Sequence, residues 1–245
     1  MGGYAADMLW YEERHTVAVS PWMLPGTGGG TPCWQAASPG AQVAAVISGA
    51  SAWLVVTLPG RSRIALRVAY CPRGHPRLAA ADRAGDGARL QFESAIGVFR
   101  AEIGLPGPEG RPLHVTTALK PHVPLAMPFW PRDLAVLGQG RVYPRPSGLH
   151  FSVTDPGRDS VLYAQNLGAL GDYARRTGTD LTGAVGGVWP ELGLALPGSA
   201  DGYLEPGRET VLSDAYLAFA AGVPDGEEAA AAQFLSLEAL ITAAV

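Results

Sequence analysis

The chain has 245 residues, of which 47% are hydrophobic and 16% are charged, and its formal net charge is −4. Enough apolar side chains are present to fill a core, which excludes a disordered protein, and the length suits one all-β domain. Because Lys120 is the only lysine and no basic cluster exists, we expect no nucleic-acid partner.

The first 40 residues are rich in proline and contain the glycine run Gly28 to Gly30. This composition predicts a loop-rich segment over 1–40, with a short strand near His15 to Val19. The GTGGGT run at 26–31 lacks the Gly-Lys-Ser/Thr ending of a phosphate loop. No secretion signal and no apolar run of about 20 residues is present, so we expect a cytoplasmic protein with no membrane partner.

Residues 41–222 are predicted to form an antiparallel β-sandwich, the main body of a mainly β fold. Short stretches alternate apolar and polar residues, and turn signals separate them about every ten residues, as in sandwiches and barrels. The predicted strands are Gln42–Leu58 with a break at Ser48–Ser51, Arg63–Tyr70, two strands within Leu90–Leu105, Leu113–Leu119, Leu149–Val153, Val161–Tyr163 and Thr210–Phe219.

One helix is predicted within the sandwich, over 167–177. Asn166 can cap its first turn, and Gly178 ends it.

A second helix is predicted over 225–244, at the C-terminal end of the chain. Asp225 and Glu228 have the spacing of a capping box. The helix runs to Val245 without a polar tail, which leaves two interpretations open: the chain is part of a larger protein, or the helix simply docks on the sandwich. Its apolar stripe consists of Phe234, Leu237, Leu240 and Ile241.

No metal or cofactor site is expected. Cys33 and Cys71 have neither disulfide-scaffold nor zinc-ligand spacing, the five histidines form no HxH or HExxH motif, and no GxSxG nucleophile motif is present.

The segment from Tyr163 to Pro197 combines amides, carboxylates and aromatic rings with glycine-rich turns. Aromatic rings stack on the apolar face of a polar ring such as a sugar, while amides and carboxylates bind its hydroxyls. The segment therefore predicts ligand-binding residues, namely Asn166, Asp172, Tyr173 and Trp189.

A proline-rich stretch after Lys120 excludes a long helix and predicts a long ordered loop or an edge excursion. It carries Trp130, Arg132 and Asp133 close together, and an adjacent Arg and Asp can grip a polar ligand between them. We predict Trp130 and Arg132 as further ligand-binding residues. The alternative is a structural Arg–Asp pair.

Asp133 and Glu191 are the predicted catalytic pair. Glycoside hydrolysis requires two carboxylates on opposite sides of the scissile bond, about 5 to 10 Å apart. Glu191 follows Trp189 in a turn after two glycines, and the alternative there is a buried Trp with Glu191 bonded to backbone amides. Rival carboxylates are Glu93, Asp172 and Asp214.

Three runs of the sequence, YAQNLGALGDYARRTGT, GGVWPELG and TVLSDAYLAF, resemble bacterial proteins in which a β-sandwich precedes a helical toroid of the glycoside-hydrolase kind. WPRD is similar to a short sequence that borders the sugar site in toroidal glucoamylase-like enzymes. The resemblance covers Leu90 to Val245 and implies a sandwich that lends loops to a sugar site. It also implies a glutamate where this chain has Val188. Because the chain lacks a toroid's helices, the resemblance implies a helical domain or a second subunit as a partner.

Three functions remain open from the sequence. The first is a carbohydrate-associated β-sandwich that binds a sugar or a similar small-molecule ligand, alone or as part of a glycosidase-like enzyme. The second is a stand-alone enzyme, such as a cyclase or isomerase, with a carboxylate in a β-walled pocket. The third is a structural module whose exposed aromatic residues are buried against a partner.

Overall fold

The computed structural model describes residues 31–71, 74–126, 130–196 and 202–245. The strand predicted near His15 to Val19 lies outside these ranges. Within them the chain forms two antiparallel sheets and two α-helices, which confirms the prediction of a mainly β fold with two helices.

The first sheet has seven strands, and every neighbouring pair is antiparallel. They are β1 (Trp34–Ser38), β2 (Ala41–Ser48), β3 (Ser51–Thr57), β4 (Arg63–Tyr70), β9 (Leu134–Leu137), β13 (Val185–Val188) and β14 (Glu191–Leu194). Their order across the sheet is β1–β2–β3–β4–β9–β14–β13, so later parts of the chain are added beside β4.

The second sheet has eight strands, also antiparallel throughout. They are β5 (Arg77–Ala84), β6 (Gly87–Ser94), β7 (Gly97–Gly104), β8 (Leu113–Pro121), β10 (Gln139–Arg145), β11 (Gly148–Asp155), β12 (Asp159–Gln165) and β15 (Thr210–Ala221). Their order is β10–β11–β12–β15–β8–β7–β6–β5, which places β15 between two strands from earlier in the chain.

One buried apolar cluster, the shared core, contains residues of both sheets. Side chains alternate between the faces of a strand, so alternate residues of each sheet point inward. Leu66 of β4 belongs to the same buried cluster as Phe92 and Phe99 of the second sheet. A separate apolar cluster lies on the opposite face of the first sheet and consists of Val46, Trp53, Val55, Ala65 and Ala135.

Helix α1 (Gly171–Thr177) begins later than predicted. Its N-cap residue is Leu170 and has no side-chain cap, so the prediction that Asn166 caps this helix is wrong. Asn166 instead accepts a hydrogen bond from the Ala169 N–H at 3.3 Å, in the turn that precedes the helix.

Helix α2 (Glu227–Thr242) packs on the outer face of the second sheet, where Phe234, Leu237 and Ile241 cover Leu162 and Ala218. Its N-cap is Gly226, with φ 88° and no side-chain cap, so the predicted capping box does not form. In the described part of the chain, no helix has both the length and the apolar character needed to cross a membrane.

Candidate functional site

A buried polar cluster links the two sheets, and we call it the interior cluster. It consists of Asp133, just before β9, together with Tyr163 and Gln165 of β12 and Ser213 of β15. Asp133 Oδ2 accepts hydrogen bonds from the Tyr163 hydroxyl at 2.8 Å, from Ser213 Oγ at 2.9 Å and from Gln165 Nε2 at 3.1 Å. Asp133 Oδ1 accepts a bond from the Leu194 N–H at 2.7 Å. Both carboxylate oxygens are therefore held by the protein itself.

Asp133 is 2% exposed, and burial raises its pKa to about 6 against the opposing effect of its hydrogen bonds. The space between Asp133 and Gly193 is tight, since a Cβ added at Gly193 would lie 2.2 Å from Asp133 Oδ1. The predicted catalytic residue Asp133 thus occupies a closed, fully hydrogen-bonded place in the structure, which is the geometry of a structural link between sheets.

Arg132 binds backbone carbonyls. Its Nη1 donates to the carbonyl of Gly193 at 3.0 Å and to that of Ala184, which fastens the hairpin of β13 and β14 to the segment just before β9. Burial lowers its pKa, while the attraction of Asp133 opposes this shift. The side chains of Arg132 and Asp133 therefore have different partners, and the alternative of an Arg132–Asp133 ion pair is not seen.

Trp130 lies in the shared core and is 3% exposed. Its ring meets Tyr70 edge to face, with centroids 5.7 Å apart, and Phe99 at 6.0 Å. No face of the indole is open to solvent, so the structure does not favour the predicted stacking of a sugar on Trp130.

Glu191 lies on the opposite side of the first sheet from Asp133. It is paired with Ala135, which faces the separate apolar cluster rather than the shared core. Burial raises the pKa of Glu191 to about 7, and the attraction of Arg67 and Arg132 opposes the shift. Its Oε1 has no hydrogen-bond partner, so the expected bonding of that oxygen to backbone amides is also not seen. The two predicted catalytic carboxylates therefore face different sides of the first sheet.

Trp189 is partly buried, and its indole is held by a hydrogen bond and an aromatic contact. Its Nε1 donates to the carbonyl of Gly138 at 3.0 Å, and its rings meet Phe151 edge to face at 6.3 Å. The residue after the glycine pair, Val188, is 82% exposed.

Asp172 and Tyr173 are adjacent on α1 but have different environments. The Asp172 carboxylate pairs with Arg175 at 3.4 Å, with Arg208 at 3.5 Å and with Arg176. Tyr173 is 1% exposed, and burial raises its pKa to about 12. Neither residue presents a free group to a ligand.

A second polar cluster lies on the outer face of the second sheet, and we call it the surface cluster. It joins His114 and Thr116 of β8, Asp214 and Tyr216 of β15, and Asn166 at the end of β12. Asp214 Oδ1 accepts bonds from His114 Nε2 at 2.6 Å and from Thr116 Oγ1 at 3.0 Å. Asp214 Oδ2 accepts a bond from Asn166 Nδ2 at 2.9 Å. Of the predicted site residues, only Asn166 belongs to it.

The rings of His114 and Tyr216 are stacked within this cluster, with centroids 4.1 Å apart and 7° between their planes. The His114 side chain is 38% exposed, whereas that of Asp214 is 9% exposed. The His114 ring is therefore partly open to solvent, whereas the Asp214 carboxylate that binds it is buried.

The carboxylate of Asp214 is held in its charged form. Burial alone raises its pKa, but the hydrogen bonds and charge of His114, with the bonds from Thr116 and Asn166, outweigh burial and lower it. An ionised carboxylate only accepts hydrogen bonds, so His114 Nε2 carries the proton that it donates. In the neutral ring Nδ1 is then an acceptor, and it makes no hydrogen bond to any described residue.

A groove of about 280 Å³ adjoins the surface cluster. His114 and Tyr216 form one side of it, the turn between β5 and β6 forms another, and Arg111 and Leu105 line the remainder. The cluster thus combines stacked rings, an anchored carboxylate and a concave surface.

Asp214 was predicted only as a rival carboxylate, and no role was predicted for His114, Thr116 or Tyr216. The spacing of these residues could have indicated part of the cluster. His114 and Thr116 are two residues apart on one strand, as are Asp214 and Tyr216 on another, so each pair lies on one face of its strand. What the sequence does not contain is the pairing of β8 with β15.

Within 31–71, 74–126, 130–196 and 202–245, no group of three or more His, Cys, Asp or Glu side chains could hold a metal ion. Comparison of the whole chain with known proteins found no match among family models, curated proteins or solved structures.

Proposed function

We propose that this protein binds a polar, ring-shaped ligand such as a sugar, and that the surface cluster is its binding site. One observation carries the proposal: the outward-facing His114–Tyr216 ring pair stands beside a carboxylate, an amide and a hydroxyl at the edge of a groove. We retain the prediction that the ligand is a sugar. The proposed binding site, however, lies on the second sheet and not in the segments of Trp130 and Trp189.

The free polar atoms of the cluster match the groups of a sugar. His114 Nδ1 can accept a hydrogen bond from a ligand hydroxyl. Burial raises the pKa of Tyr216, so its hydroxyl keeps its proton and can donate. The exposed ring of His114 offers a flat surface for the apolar face of a sugar ring. Asp214, held by three side chains, fixes the position of the imidazole and so prepares the site before binding.

A glycan array followed by calorimetry on the best binder tests the proposal. His114→Ala removes the acceptor and the ring face, and we expect it to weaken binding by about tenfold or more. His75→Ala is the matched control, since His75 is an exposed histidine that does not line the groove and whose Nδ1 contacts the Gly49 carbonyl at 2.7 Å. Equal affinity of the two variants, or no binding to any glycan by the unchanged protein, would refute the proposal.

A second function, a proton-transfer enzyme, is favoured by one specific feature of the same cluster. Asp214 orients and stabilises His114 at 2.6 Å, and the opposite ring nitrogen is unbonded, which is the arrangement of a general base. It corresponds to the predicted cyclase or isomerase with a carboxylate in a β-walled pocket. Isomerisation and hydrolysis assays on sugars and sugar esters test it, with Asp214→Asn expected to lower kcat; equal turnover in this variant would refute it.

We also infer that the two sheets stack face to face as a β-sandwich, which the shared core supports. A cytoplasmic location and a helical domain or second subunit as partner stay predictions, to be checked by cell fractionation and light scattering.

A further inference from the structure

A second groove, lined in part by Trp34, shares residues of the turn between β5 and β6 with the groove beside the surface cluster. Resting on the proposed function, we propose that the ligand is an oligosaccharide chain rather than a single sugar, with one unit on the surface cluster and a more distant unit on Trp34.

Two grooves adjoin at this turn. Asp86, Gly87 and Leu105 line the groove of about 280 Å³ beside His114, and the same three residues line a groove of about 340 Å³ on the other side. Small-molecule sites usually measure about 300 to 1,000 Å³. The first groove alone lies just below this range, whereas the two grooves together fall within it.

Trp34 lies in the wall of the second groove, at the start of the edge strand β1. The indole is partly buried and packs on the shared core with one side. Because packing already fixes the indole, ligand binding would cost Trp34 little further side-chain entropy. The surface of the ring that faces the groove can therefore stack on the apolar face of a sugar.

An ion pair stands where the two grooves meet. Arg111 Nη1 lies 3.1 Å from Asp86 Oδ2, and the two side chains are 47% and 76% exposed. Arg111 Nη2 also donates to the Leu105 carbonyl at 3.2 Å. Such an exposed pair contributes little to stability, but its donors and acceptors can bind the hydroxyls of the middle of a chain.

Calorimetry tests the proposal by measuring the affinity for linear oligosaccharides of increasing length. The probes are the monomers to hexamers of glucose, xylose and N-acetylglucosamine. We expect affinity to rise by about tenfold or more with chain length until the Trp34 groove is filled. Trp34→Leu keeps apolar packing but removes the flat ring, so it should lose this gain for long chains and leave monomer binding unchanged. Trp34→Phe keeps a ring and should retain most of the gain.

His114→Ala separates this proposal from the one on which it rests, because it should weaken monomers and long chains alike. Binding that does not depend on chain length, or a Trp34→Leu protein that binds hexamers as tightly as the unchanged protein does, overturns the chain proposal while sugar binding stands. No binding to any probe overturns both proposals.

Discussion

The carboxylate of Asp133 and the hydroxyl of Tyr163 meet at 2.8 Å between the two sheets, although 30 residues separate them in the chain. Because Ser213 and the Leu194 N–H bind the same carboxylate, the contact belongs to a network that spans both sheets. A buried network of this kind stabilises one arrangement of the layers only while all its members are present. The hydrogen bonds of Asp133 therefore hold parts of both sheets together.

Tyr163→Phe should destabilise the protein by about 1 to 3 kcal/mol, because it removes a donor from a buried carboxylate without removing the carboxylate. Urea unfolding at pH 7 measures the change. Tyr203→Phe is the control, since Tyr203 is 55% exposed and should change the free energy of unfolding by less than about 0.5 kcal/mol. Equal stability of the two variants would show that the interior cluster contributes nothing.

Asp133 should make the protein less stable as the pH rises from about 4 to 6. Its pKa is raised to about 6 in the folded protein from an ordinary value of 3.8. Between these values the unfolded chain has released a proton that the folded protein still binds, so the free energy of unfolding falls with rising pH and levels off above pH 6. The gap of about two pKa units corresponds to about 3 kcal/mol.

Urea unfolding of the unchanged protein and of Asp133→Asn, at several pH values from 4 to 7, measures this effect. Other carboxyl groups titrate in both proteins, so the difference between the two curves isolates Asp133. We expect the difference to vary with pH over this window. Parallel curves would contradict a raised pKa for Asp133.

Gly193→Ala should cost at least about 2 kcal/mol. Gly193 has φ +94°, and a Cβ there would approach Asp133 Oδ1 to 2.2 Å and the Leu134 Cβ to 2.9 Å. Gly171→Ala is the matched control, because nothing lies within 4 Å of its added Cβ at the start of α1. Thermal unfolding compares them, and a Gly193 variant as stable as the Gly171 variant would contradict the close approach.

Strand periodicity carried much of the fold prediction. The apolar residues at every second position of Arg63–Tyr70 predicted β4 with its observed bounds. The other face of β4 is buried as well, since Ala65, Arg67 and Ala69 are all buried. The strands β9 and β14 were missed because each has four residues, all or nearly all buried, and shows no alternation. Their place beside β4 depends on pairing between distant parts of the chain.

The candidate site was harder to predict than the fold. Asp133 was predicted as a catalytic residue, but its carboxylate is bonded by Ser213, 80 residues away, which no local motif could indicate. His114 and Asp214 are 100 residues apart, so no local motif joins them. Trp130 illustrates the remaining difficulty, because a tryptophan in a proline-rich stretch has the same sequence signal whether its ring lines a cleft or fills a core.

Leu237→Ala should destabilise the protein by about 2 to 5 kcal/mol, because Leu237 is 1% exposed in the contact between α2 and the second sheet. Leu235→Ala is a control on the same helix, since Leu235 is 62% exposed and should change stability by no more than about 0.5 kcal/mol. Urea unfolding followed by circular dichroism measures both. Similar stability of the two variants would mean that α2 does not dock as described.

Asp214 should make the protein more stable as the pH rises, which is the opposite of the effect expected of Asp133. Its pKa is lowered in the folded protein, so the stability it contributes is present above its ordinary value of 3.8 and is lost as the pH falls through the folded value. Asp214→Asn should therefore be less stable than the unchanged protein at pH 7, and this difference in the free energy of unfolding should close as the pH falls below about 4.

Asp86→Asn is the control, because the Asp86 side chain is 76% exposed. Urea unfolding from pH 2 to 7 measures the gap. A gap that stays constant with pH would show that Asp214 is not held in its charged form, and the fixed position of His114 on which the proposed site depends would lose its support.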